Sequence, residues 1–189
     1  MAKYRPEMNR EARQKEARLK LSDPNSYPRS PENLSKFREM YQETVTSKVG
    51  VMCISEIPDD ILMWSHYSDS HKGICIVLDR KFLPTAHPVN YEKSRPTVNP
   101  IIDTPEVMLD RSMFTKSDHW FYEKEWRVLQ YERGASAYQF PEKILVGILL
   151  GAQISEENKL LVHQWAEQSP SKPWVKQVFL SPTEFKITI

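Results

Sequence analysis

Two short stretches hold most of the side chains able to do chemistry. In "WSHYSDSHKG", Trp64, Ser65, His66, Tyr67, Asp69, His71, Lys72 and Gly73 crowd a helix end and the turn into a strand. Such junctions carry function because a rigid scaffold positions their side chains. A lone histidine there is ordinarily a core-edge residue bonded to backbone. The density of polar and aromatic groups argues for more, since burying them all is costly. In "WFYEKEWRV", strand alternation puts Phe121, Glu123, Glu125, Arg127 and Leu129 on one face and Trp120, Tyr122, Lys124, Trp126 and Val128 on the other.

Two carboxylates and an arginine in a row allow three uses. They can form a surface ion-pair ladder or bind a divalent cation. Alternatively, one glutamate, tuned by the arginine and the other glutamate, can accept a proton or stabilise a cationic sugar transition state. In a helix, Glu123 and Arg127 would instead form a simple i,i+4 pair. A metal centre would draw on His66, His71, Glu123 and Glu125. The two histidines are off the i,i+4 spacing of a helical zinc motif, so no metal is expected. No Walker loop, Rossmann glycine pattern or G-x-S-x-G elbow is present.

The elements that must position these groups can be read in turn. Residues 3 to 20 suit a charged helix, and "SDPNSYPRSPEN" interrupts it with prolines. In "SPENLSKFREMYQETV", Leu34, Phe37, Met40 and Tyr41 recur at helical spacing. Residues 1–48 thus read as a helical, Pro-interrupted arm and 49–189 as an α+β core domain. In the core, "VGVMCISE" and "GICIVLD" are strands and "PDDILMWSHY" is a short helix with acidic residues at its positive end. Residues 83 to 110, with five prolines, read as loops with one short strand near "HPVNYE". "HWFYEKEWRVLQYE" and "EKILVGILLG" are expected strands. "SEENKLLVHQWAEQ" is a helix capped by Ser155, and "WVKQVFL" and "EFKITI" close the chain as strands. The fold class is α+β, a mixed or antiparallel sheet with helices packed on it.

Bulk properties exclude several classes. The 189 residues suffice for one domain with a core. Lys and Arg number 26 against 25 Asp and Glu, which gives no general basic excess for nucleic acid. No apolar run approaches the ~20 residues of a membrane span, and the N-terminus lacks a secretory pattern. A cytoplasmic location follows as the expectation. Cys53 and Cys75 lie in apolar runs and read as buried, unpaired thiols.

The stretches "CISEIPDDILMWSHYSDSHKGICIVLD", "WFYEKEWRV" and "FPEKILVGILLGAQIS" resemble the bacterial domain-of-unknown-function family 2971, through M-W-S-H-Y with H-K-G, then E-x-E-x-R, then an I-x-x-I-x-L-G-like strand. The resemblance runs from about Val49 to about Ile189. Some members look associated with phage defence or toxin-like genes. More distantly, the order of elements resembles the ADP-ribosyltransferase superfamily, whose sheet splits around NAD. That resemblance implies NAD as substrate and a nucleotide-like ligand. It makes Glu125 or Glu123 the late-strand glutamate, held ionised by Arg127. Tyr67 or Trp64 would stack on nicotinamide and His66 would contact ribose or amide, with Ser65, His71 and Lys72 completing the cofactor-binding set. Members usually open with an N-D-P-F motif, which this sequence lacks. That departure implies a truncated, regulatory or inactive member with an incomplete split sheet, whose open edge would suit a homodimer. A non-enzymatic ligand- or protein-binding module and a metal-assisted hydrolase or nuclease are the other expectations.

Overall fold

The computed structural model describes residues 15, 35, 39, 49–99, 103–131 and 134–189. The two expected N-terminal helices lie outside the described residues, apart from Lys15, Ser35 and Glu39, which are helical. In chain order the elements are β1 (Gly50–Ser55), α1 (Ile61–Tyr67), β2 (Ile74–Leu78), a 3-10 turn (Arg80–Phe82), β3 (His87–Pro88), β4 (Asn90–Glu92), α2 (Pro105–Phe114), β5 (Thr115–Ser117), a second 3-10 segment (Asp118–Glu123), β6 (Glu125–Gln130), a third (Glu142–Ile144), β7 (Leu145–Leu150), α3 (Glu156–Gln168), β8 (Trp174–Gln177), β9 (Phe179–Leu180) and β10 (Ile187–Thr188). Helices accompanied by several small antiparallel and mixed sheets make an α+β fold, as the sequence patterning implies.

The chain forms two compact units, each made of several separate stretches of sequence. One comprises Met1–Val51, Val89–Asp118 and Leu129–Ser136; the other comprises Met52–Pro88, His119–Val128 and Ala137–Ile189. In the first, β4 pairs in parallel with β5. Its helix α2 corrects the expectation of loops through residue 110. Thr104 caps it by accepting from the Val107 N–H, and Arg111 binds Asp103 at 2.9 Å. The density of prolines masked that helical segment, although proline is well tolerated at a helix start.

The second unit holds both chemical stretches. Its main sheet runs β2-β7-β8, with β2 antiparallel and β8 parallel to the central β7. Alternation on β7 builds two cores. Ile148 and Leu150 face Ile154, Val162 and Ala166, which brings in helix α3. Leu149 faces Trp64, Val178 and Ile187, which anchors helix α1 to the opposite side. Ser155 caps α3 as its sequence implies, accepting from the Asn158 N–H. A second sheet places β6 between β1 and β3.

The long strand expected from His119 onward is corrected. Asp118–Glu123 winds as a 3-10 segment, and only Glu125–Gln130 is strand. Lys124 separates the two with φ 46°, in the left-handed region that ends strand geometry. Glu123 and Glu125 therefore do not share a strand face by simple alternation.

Candidate active site

Helix α1 is short and fixed at both ends. Asp60 Oδ1 accepts from the Leu62 and Met63 N–H groups, each at 2.9 Å, a side-chain cap for otherwise unpaired donors. Pro58 lies before the helix, and its carbonyl accepts from Trp64 Nε1 at 2.7 Å. Trp64 is 4% exposed and packs with Leu149, Val178 and Ile187. Its indole is a core anchor, which leaves the exposed His66 and Tyr67 at the end of the helix as the available rings.

The turn after α1 is tightly built. Asp69, Ser70 and His71 have φ of 47°, 53° and 68°, a run of left-handed residues that only surrounding contacts can hold. The Ser68 carbonyl accepts from the Lys72 and Gly73 N–H groups, and the His71 carbonyl accepts from the Gln153 N–H. A Cβ on Gly151 would sit 2.1 Å from that His71 carbonyl oxygen. His71 is 8% exposed, and its Nε2 lies 3.0 Å from Ser65 Oγ. Ser65 Oγ already donates to the Ile61 carbonyl at 2.9 Å. A hydroxyl has one proton, so the arrangement assigns the donor role to His71 Nε2–H. The buried Nδ1, which has no partner, is then a lone pair rather than an orphaned N–H. This tautomer makes His71 a strut for Ser65 and not a base that could activate it.

The glutamates are positioned from β1. Ser55 Oγ donates to the Glu123 carbonyl at 2.6 Å, and the Glu56 N–H donates to the Lys124 carbonyl at 3.2 Å. These bonds fix the junction between the 3-10 segment and β6. Glu123 is 3% exposed, and the Tyr67 hydroxyl donates to its Oε1 at 2.8 Å. Glu125 is also buried, and Arg127 grips it with two bonds, Nε to Oε1 at 2.7 Å and Nη2 to Oε2 at 3.1 Å. Burial works against the Arg127 charge. The hydrogen bonds and negative charge of Glu125 outweigh it and hold the guanidinium above its usual value.

Cys53 completes this group. As a residue it is exposed in β1, which corrects the expectation of a buried thiol, while Cys75 is partly buried against the core and both are unpaired. The Cys53 sulfur nevertheless lies against Glu125 and Arg127. Burial first, then the Glu125 hydrogen bond and charge, push the thiol up to about 11.

An aromatic cluster stands beside the carboxylates. His66 Nδ1 lies 3.3 Å from the Tyr122 hydroxyl, and the His66 ring centroid is 6.2 Å from that of Trp120 and 6.4 Å from that of Tyr122. Trp120 and Tyr122 are 6.0 Å apart. Tyr67 is 64% exposed. Its ring offers a surface while its hydroxyl reaches a buried carboxylate.

The structure thus joins Tyr67 to Glu123, Glu125 to Arg127, and His66 to Tyr122 and Trp120. Ser65 and His71 bind each other within the turn. Lys72 stands apart, exposed and 3.7 Å from Asp69. Among the described residues no group of three His, Cys, Asp or Glu could hold a metal ion, so the four-residue metal set does not converge. Among the same residues no helix is long and apolar enough to cross a membrane. Sequence reasoning missed Cys53, Trp120 and Tyr122 as site residues. For the two aromatics the signal was the ring density of "HWFY"; for Cys53 there was none.

No curated protein and no solved structure matches the chain. Residues 63–128, running from helix α1 to strand β6 and holding both halves of the paired signature, match the model of the family described as Protein of unknown function (DUF2971).

Proposed function

We propose that the second unit is an NAD-using, ADP-ribosyltransferase-like domain in which Glu123 is the reacting carboxylate. The observation that carries this reading is the Tyr67–Glu123 hydrogen bond, which couples a solvent-facing ring to a buried carboxylate. Nicotinamide would rest on Tyr67 and the His66–Trp120–Tyr122 rings, whose faces suit a planar cation. The C1′–N bond then breaks, and its electron pair leaves with nicotinamide. The ribosyl oxocarbenium is stabilised by the Glu123 carboxylate until water or an acceptor nucleophile attacks C1′ and gives up its proton. Glu125 is the weaker candidate, because Arg127 already binds both of its oxygens. Its role in this reading is to brace β6 beside Glu123.

Calorimetric titration with NAD tests the reading. Wild type should release or absorb heat with one-site stoichiometry, and Tyr67→Ala should weaken binding about tenfold or more, the scale of a lost stacking surface. No heat with wild type would sink it. A role in phage defence or a toxin-like system, which the family resemblance implies, would show as fewer plaques on cells expressing wild type than on cells expressing Glu123→Gln.

A second reading, a non-enzymatic binding module, draws on a different observation. Both glutamates are buried and both are engaged by protein donors, an arrangement that also suits a rigid ligand-binding surface. NAD binding without nicotinamide release would favour it.

A further inference from the structure

Arg80 makes no hydrogen bond or ion pair with the Tyr67–Glu123, Glu125–Arg127 or His66–Tyr122 pairs. It is exposed, at the start of the 3-10 turn that follows β2, and its Cζ lies 4.1 Å from the centroid of the Trp126 ring. Among the described residues no carboxylate pairs with it, whereas the neighbouring Lys81 is neutralised by Asp79 at 2.7 Å. The indole beneath it is itself tied down, since Trp126 Nε1 donates to Glu56 Oε2 at 2.9 Å. Glu56 also bonds through its N–H to the Lys124 carbonyl, within the β1–β6 junction that fixes Glu123. The cation therefore sits on a pedestal continuous with the glutamate site.

A guanidinium held over an indole loses less freedom on binding a second partner than a free side chain does. Its N–H fork matches the oxygens of a phosphate. Glu56 carries the opposing charge, and its bond to the indole N–H keeps that charge at the ring edge. We infer that Arg80, ordered by Trp126, binds the phosphate of a phosphate-bearing ligand, a nucleoside diphosphate if the NAD reading above holds, on which this inference rests. Nothing in the paired sequence signature points to Arg80; the assignment comes from its stacking.

The test is calorimetry on the full chain with NAD, ADP-ribose, inorganic pyrophosphate and adenosine, using wild type, Arg80→Ala and Arg80→Lys. Arg80 is exposed, so the variants should fold, and circular dichroism checks that they do. Arg80→Ala should weaken NAD and ADP-ribose by about 10- to 100-fold, the range for charge-assisted hydrogen bonds, and leave adenosine unchanged. Arg80→Lys should recover only part of the loss, because lysine keeps the charge and lacks the fork. If Arg80→Ala binds NAD and ADP-ribose like wild type, the inference falls while the NAD reading stands. If wild type ignores NAD but binds ADP-ribose or pyrophosphate in an Arg80-dependent way, the NAD reading falls and the phosphate grip stands. If wild type binds none of the phosphate probes, both fall.

Discussion

The Tyr67 hydroxyl meets Glu123 Oε1 at 2.8 Å across 56 positions of sequence. That single bond ties the end of helix α1 to the 3-10 segment before β6, and so joins the two halves of the family signature. It also gives a buried carboxylate a donor whose ring faces solvent. Tyr67→Phe keeps the ring and removes the hydroxyl that makes this bond. Because it leaves a buried acceptor short of one partner, it should cost about 1–3 kcal/mol in urea unfolding. A loss near zero would mean that the bond does not persist in solution.

Glu125 and Arg127 form a buried, two-point pair, with side chains 7% and 15% exposed. Removing one side chain takes its two-point, opposite-charge contact from the other. Glu125→Leu should therefore destabilise by about 3–5 kcal/mol, and the double change Glu125→Leu with Arg127→Leu should recover much of that. A double-mutant cycle in urea reads the coupling directly, and additive losses would contradict a paired role.

The thiol of Cys53 gives a pH signature. Its value rises from the ordinary 9.0 to about 11 in the folded chain, through burial and then Glu125. The folded state thus holds the proton more tightly than the unfolded state. Its contribution is complete below about pH 9 and is lost as pH climbs towards 11. Urea midpoints from pH 8 to 11 should fall across that window, and Cys53→Ala should flatten the fall relative to wild type. Two pKa units leave about a hundredfold less thiolate at pH 8, so iodoacetamide should modify native Cys53 far more slowly than the denatured chain.

The glycines around the left-handed turn differ in what they tolerate. A Cβ at Gly151 would meet the His71 carbonyl oxygen at 2.1 Å and the Gly73 carbonyl oxygen at 2.8 Å, both backbone atoms. At Gly73 the nearest contact would be 3.1 Å, to Ser68. Gly151→Ala should therefore lower the melting temperature well beyond Gly73→Ala, with a loss of roughly 3 kcal/mol or more. Equal losses would show that the turn shifts easily.

Much of the scaffold was legible in the sequence because periodicity and caps report local physics. Ser155 caps α3 as its sequence implies, and β7 forms where the apolar run places a strand. Of the apolar residues of α3 only Val162 and Ala166 are buried, while Leu160, Leu161 and Trp165 stay exposed. Helix α2 was hidden by Pro105 and the prolines of the stretch before it, and the break at Lys124 by a left-handed backbone that no β-propensity scale registers. Of the site, residue types near Tyr67 and Glu123 were visible, but their union depends on a long-range bond. Trp64 looked like a stacking ring because composition does not say which face of a short helix is buried. Ser65 and His71 looked like ligands because hydrogen bonds within a turn leave no spacing pattern.

Nicotinamide release from NAD, followed by chromatography with wild type and Glu123→Gln, bears most directly on the role of Glu123. Glu123→Gln keeps the size and polarity of the side chain, so binding of NAD should change little. The expected result is turnover by wild type and a loss of about a hundredfold or more in the variant, the scale of a removed transition-state charge. Equal release by both proteins, or none by wild type under conditions where it binds NAD, would contradict Glu123 as the reacting carboxylate.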